Sequence, residues 1–332
     1  MIDHQTLLAS WYSTPWALNR EHLAQHAAFL AGRLASDSPA RPTLEPSANG
    51  ERLSAFEARR RELNAASGPV GGARSGIAVI PLFGTIVQRA GVMTQMCGGT
   101  SCQQFDQALQ AALKDDTIGQ ILIDVDSPGG SVYGVQELAD QIHRATKPVV
   151  ACVNSLAASA GYWLASQASE IYITPGGEAG SIGVWMAHED WSAAMEKRGI
   201  RTTLISAGKH KVEGNPYEPL PADAKAFLQG RTEDYYNAFV KAVARGRGVP
   251  VADVSKGMGQ GRVLGAQAAL EARMVDGVMT ITEVVKRMRR GARVANPSMA
   301  ASMRYLRASD PRTVVPGSLA ACRRMLDSMS RY

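Results

Sequence analysis

The run GQILIDVDSPGGSVYGVQELADQIHRATKPVVACVNSLAAS, residues 119–159, decides the fold class. It opens on GQILIDVDS (119–127), an apolar Ile- and Val-rich stretch with the length of a strand buried on both faces. VYGVQELADQIHRAT (132–146) then spaces its apolar residues at helical intervals, and KPVVACVN (147–154) is a second buried strand. Strand, helix and strand joined by short connections are the parallel β-α units of an α/β fold. The pattern extends both ways. Upstream, SGIAVIPLFGTIV (75–87) reads as β and CQQFDQALQAALKDD (102–116) as a helix. Downstream come EIYITPG (170–176), SIGVWMA (181–187), a helix in EDWSAAMEKRG (189–199), a strand in RTTLISA (201–207) and a long helix from about Pro221 to Arg247. GRVLGAQAALEARMVDGVM (261–279) closes the unit with a turn, a short helix and a last strand.

The chain of 332 residues, 45% apolar, is long enough to bury one large core and still carry extra segments. Residues 1–34 form an N-terminal helical segment, because apolar residues recur at helical spacing after Pro15 in PWALNREHLAQHAAFLAGRLA. Residues 35–75 turn to Ser, Pro, Ala and Gly around a short charged helical piece, ERLSAFEARRRELNAAS, and form a linker. The compact domain spans 76–285, and 286–332 is a basic tail expected to be flexible. That tail holds eleven Lys and Arg against two Asp, so it exceeds the whole chain's +6 and leaves the remainder acidic. It suits an acidic protein partner, with nucleic acid left open by the same charge. No apolar run reaches the roughly 18 residues that span a bilayer, and the start lacks the pattern of a secretory leader, so a cytosolic protein without a membrane anchor is expected. Cys97, Cys102, Cys152 and Cys322 fit neither a disulfide framework nor a zinc pattern; they read as reduced thiols, and no metal or cofactor is called for.

Three places carry candidate chemistry. DSPGGSVYG (126–134) follows a strand and precedes a helix, and its glycines let backbone N–H groups point outward to an anion or a developing oxyanion, although a plain tight connection uses the same residues. Ser159 stands among Ala158, Ala160 and Gly161 at a strand-to-helix joint, where its hydroxyl is either a nucleophile that a substrate backbone can approach or a helix N-cap. A serine nucleophile needs a base. Of six histidines, His4, His22 and His26 lie outside the domain and His143 falls in a helix, which leaves His188 and His210. Lysine is the other option, since a buried lysine loses its charge; SAGKHKVEGNPY (206–217) offers Lys209 and Lys211 in a loop bounded by glycines.

DSPGGSVYG, AASAGYWLA (157–165), GSIGVWMAHEDW (180–191) and SAGKHKVEGNPY, in this order, resemble the signal-peptide-peptidase A family of serine peptidases, and within it the capsid assembly (head maturation) proteases of lambda-like tailed phages. The resemblance covers about Ser75 to Met279 and extends weakly to an N-terminal PWAL helix. It implies a crotonase/Clp-peptidase-like superhelix of β-β-α units. It also implies that Ser159 is the nucleophile, Lys211 the general base and Ser181 the residue that holds the lysine amine, with the N–H groups of Gly130 and Ala160, and Gly129 nearby, forming the oxyanion hole. Glu213 is expected to point away, because a carboxylate beside Lys211 would keep it protonated. The implied partners are scaffold, portal or capsid proteins and further copies of the same chain, inside the procapsid in the host cytoplasm. A general peptidase of the same family, an acyl-CoA enzyme using the glycine turn as its oxyanion site, and a silent shell component in which Ser159 only caps a helix are the alternatives.

Overall fold

Apolar runs rich in Ile and Val pair side by side, since only strand-to-strand bonding satisfies their backbone groups away from water. The computed structural model describes residues 15–18, 76–90, 99–290 and 300. After a short strand β1 (Trp16–Leu18), four strands lie parallel: β2 (Gly76–Val87), β4 (Ile118–Ser131), β5 (Val149–Ala158) and β6 (Glu170–Ile173). β3 (Gly99–Ser101) flanks β2 and β9 (Gly277–Val278) flanks β6, giving the order β3-β2-β4-β5-β6-β9. β7 (Glu178–Gly180) runs parallel beside the end of β5 and antiparallel to β8 (Val263–Gly265). The α/β class expected from the strand and helix alternation holds.

Period-two alternation sends each strand's residues to two cores. Ile121, Ile123 and Val125 of β4 join Ile80 and Leu82 of β2 and Ala151 and Val153 of β5 in the larger one. It is covered by α1 (Cys102–Lys114), α2 (Val135–His143) and α3 (Ala160–Ala165). α1 presents Cys102, Phe105, Leu109 and Ala112 at helical spacing, and Ser101 starts it by accepting the Gln104 N–H at 3.4 Å. Leu122, Val150, Cys152 and Tyr172 face the other way, onto Ile281, Val284, Val285 and Met288 of α8 (Ile281–Arg289).

The helix expected from Pro221 to Arg247 is α5 (Ala222–Arg247), which follows α4 (Ser192–Lys197) and precedes α6 (Val251–Gly257) and α7 (Ala266–Glu271). Its carboxyl-terminal part docks on α3, where the Phe239 and Trp163 rings stack at 4.5 Å. Gly246 allows that approach, because a Cβ there would lie 2.1 Å from the Ser166 carbonyl. Arg247 is buried beside it and forms a forked pair with Asp276 (2.8 and 3.0 Å), whose carboxylate also accepts the Ile171 N–H.

Three expectations are corrected. Trp16–Leu18 is a strand, not the start of a helix; its three residues gain two hydrogen-bonded neighbours, which tertiary pairing favours over local periodicity. The rest of the 1–34 segment, the 35–75 linker and nearly all of the tail beyond Arg290 lie outside the described residues. RTTLISA is not a strand: residues 201–206 pair with no sheet, and Ile205 is 95% exposed. β-propensity reflects packing on neighbours, and here there are none. Pro128-Gly129-Gly130 is not a turn either, since β4 continues through it to Ser131. No helix among the described residues is long and apolar enough to cross a membrane.

Candidate active site

β5 ends at Ala158 and α3 begins at Ala160, which leaves Ser159 as the joint. The joint is strained: Ser159 has φ 56° and ψ −121°, a region that residues with a Cβ rarely enter. Its surroundings impose this. Its N–H donates to the Gly180 carbonyl at 2.7 Å, its carbonyl accepts the Trp163 N–H at 2.8 Å, and the residue is 1% exposed. The hydroxyl caps nothing in α3; Oγ reaches only toward the Gly183 carbonyl, at 3.5 Å. The N-cap alternative therefore has no hydrogen bond behind it.

The end of β4 runs alongside. Gly129 has φ +100°, and a Cβ there would lie 2.9 Å from the Ser159 Cβ. Its N–H is already donated to Ser127 Oγ at 3.2 Å, so its contribution is an open Cα face rather than a free donor. A Cβ on Gly130 would lie 1.9 Å from the Ile86 carbonyl, so both glycines are demanded by backbone approach. Ser127 ties these parts together: its fully buried hydroxyl donates to the Gly84 carbonyl of β2 at 2.6 Å while accepting from Gly129, and Gly161 of α3 packs on it. Sequence reading missed Ser127, whose signal was its place directly before the Pro-Gly-Gly. Ala160, fully buried, is the first residue of α3, and an N–H at that position has no partner within its own helix.

Ser181 follows β7 with φ 54° and donates its N–H to the Arg262 carbonyl at 2.8 Å. The bond from Ser159 to Gly180 draws Ser181 to the same edge. Lys211 is not drawn in. It sits exposed in a turn where its N–H donates to the Gly208 carbonyl, and among the described residues no hydrogen bond joins its amine to Ser159 or Ser181. The Glu213 carboxylate is paired with His210 Nδ1. His188 is bonded to the Asn215 carbonyl at 2.9 Å, so neither remaining histidine is bonded to Ser159. The structure thus gathers Ser159, Gly129, Gly130, Ala160 and Ser181 at one edge of the sheet and leaves Lys211 on the surface.

A buried, strained serine thus stands where a parallel strand enters a helix, faced by a glycine-lined strand end, in an α/β protein. Residues 141–295, which hold Ser159, Ser181 and Lys211, match peptidase family S49. Capsid assembly protease C of Escherichia phage lambda is 39% identical over 217 residues, covering 65% of this chain and 49% of that protein. The head-tail preconnector protein GP5 of Enterobacteria phage P21 is 36% identical over 216 residues, covering 64% and 43%. The chain thus spans about half the length of these relatives. Among solved structures, the 1510-N membrane protease specific for a stomatin homolog from Pyrococcus horikoshii overlaps with a TM-score of 0.40 at 18% identity, covering 67% and 87%. That overlap is loose, and the fold rests on the strand order above.

Proposed function

We propose that the chain is a serine endopeptidase that cleaves scaffold, portal or capsid proteins during phage head maturation. The observation that carries this is the backbone of Ser159: a fully enclosed serine held at φ 56° without capping its helix has no structural task that another residue would not do with less strain. The match to S49 and the similarity to the two phage proteins support this reading.

In this reading the neutral Lys211 amine takes the proton from Ser159 Oγ as Oγ attacks the peptide carbonyl. The Gly130 and Ala160 amides stabilise the resulting oxyanion, and Ser181 orients the lysine. The ammonium then protonates the leaving amine, and water releases the acyl-enzyme with the lysine again as base. A lysine serves as a base only once it leaves water. The stretch before Lys211 exposes Ile200, Leu204 and Ile205, apolar surface that a second copy of the chain would cover while carrying the lysine inward. In this reading the active form is a homo-oligomer working inside the procapsid.

Reaction with a serine-directed fluorophosphonate followed by peptide mapping tests the assignment. The adduct is expected on Ser159, to be absent in Ser159→Ala and to form more slowly in Lys211→Ala; an adduct elsewhere, or an equal rate in Lys211→Ala, sinks it.

A further inference from the structure

β1 lies where an extended peptide would have to lie to reach Ser159. It is antiparallel to the end of β4, with Trp16 opposite Ser131, Ala17 opposite Gly130 and Leu18 opposite Gly129. On its other side Trp16 exchanges both backbone bonds with Trp185, at 3.0 and 3.1 Å, and the Pro15 carbonyl accepts the Val132 N–H at 3.3 Å. The segment is enclosed, with Trp16 5% exposed and Ala17 fully buried. The Ala17 carbonyl and Ser159 both crowd the same face of Gly129: the position of a Cβ there is 2.1 Å from the Ala17 oxygen and 2.9 Å from the Ser159 Cβ. A peptide strand bonded on both edges and laid across the serine is the geometry of strand addition by a bound ligand.

We infer that Pro15–Leu18 is a built-in occupant of the peptide-binding cleft, a strand of the chain itself that must leave before a substrate strand enters. The inference rests on the peptidase reading and adds its regulation. The bonds to the end of β4 and to Trp185 are backbone bonds and carry no side-chain requirement, so an incoming extended protein segment can take them over. The exposed position of Lys211 fits the same state, because a strand lying over Ser159 without a base beside it is held rather than cut. A competent cleft populated only in a fraction of molecules raises the apparent KM by the inverse of that fraction and leaves kcat unchanged.

The test uses two full-length variants. Ala17→Arg puts a long side chain where no space exists, and Trp16→Pro deletes the N–H given to Trp185. Both are expected to lower KM for a scaffold-derived peptide by about 10-fold with kcat kept. The synthetic peptide STPWALNR, added in trans, is expected to inhibit both variants competitively. If β1 is only part of the framework, the variants lose activity and the peptide restores it, which overturns the inference. Fluorescence anisotropy of the labelled peptide gives a readout independent of catalysis: it binds Ala17→Arg carrying Ser159→Ala but not Ser159→Ala alone. Equal binding to both, or to neither, also overturns it. Absence of Ser159-dependent hydrolysis in every form, wild type included, is instead a failure of the peptidase reading.

Discussion

Gly129 and Ser159 face each other so closely that a single methyl group on the glycine would stand 2.9 Å from the serine Cβ. Gly129 lies near the end of β4 and Ser159 directly follows β5, its parallel neighbour, and the register of the two strands shifts between Val125 and Ser127. Gly129→Ala meets that contact, stands 2.1 Å from the Ala17 carbonyl and must also hold φ +100°, which alone costs about 1–2 kcal/mol. Ser159-dependent cleavage is expected to vanish, and urea unfolding is expected to show a loss of at least this size. A fully active Gly129→Ala would mean that the glycine face is not part of the site.

Ser127 joins β2, β4 and α3 through one hydroxyl. Ser127→Ala leaves the Gly129 N–H and the Gly84 carbonyl without that partner, which costs about 1–3 kcal/mol. Because the loosened part is the strand facing the nucleophile, kcat is expected to fall more than KM rises. Ser127→Thr, which keeps the hydroxyl, should recover part of the loss; if KM alone moved, Ser127 would be a binding rather than a positioning residue.

The Arg247–Asp276 fork is enclosed at the end of α5, with Arg247 2% exposed. Asp276→Asn leaves the guanidinium without its counter-charge and is expected to cost about 3–5 kcal/mol in urea unfolding. Replacing both partners with apolar residues should cost less than the single change. A single variant as stable as the wild type would show that water reaches the arginine.

Burial, with the Glu137 charge second, pushes the Cys102 thiol up to about 12. The sign follows from linkage: above about pH 9 the unfolded chain sheds this proton while the folded chain keeps it, so stability falls by about 1.4 kcal/mol per pH unit toward pH 12. Below pH 9 both states hold the proton and the effect is nil. Urea midpoints measured across this range should fall less steeply for Cys102→Ala than for wild type, and identical slopes would place the thiol in contact with solvent.

How much was legible in sequence depended on whether the signal was local. α5 begins one residue after Pro221 and ends at Arg247, as its composition and length announce. β4 and β5 were legible as apolar runs because buried parallel strands need no alternation. Ser159 was found among small residues, but whether it capped a helix was a matter of dihedral angle, which no residue type reports. β1 was misread because three residues cannot establish a period; its partners Gly129, Gly130 and Ser131 lie more than a hundred positions away and themselves looked like a turn. RTTLISA has the residues of a strand, but among the described residues 201–206 pair with no neighbouring edge.

The central claim, a peptidase whose nucleophile is Ser159, is tested most directly by intact mass spectrometry of wild type, Ser159→Ala and Lys211→Ala, each incubated with phage scaffold, portal and capsid proteins. The account predicts defined fragments with wild type and none with either variant. Identical fragments from wild type and Ser159→Ala would contradict it.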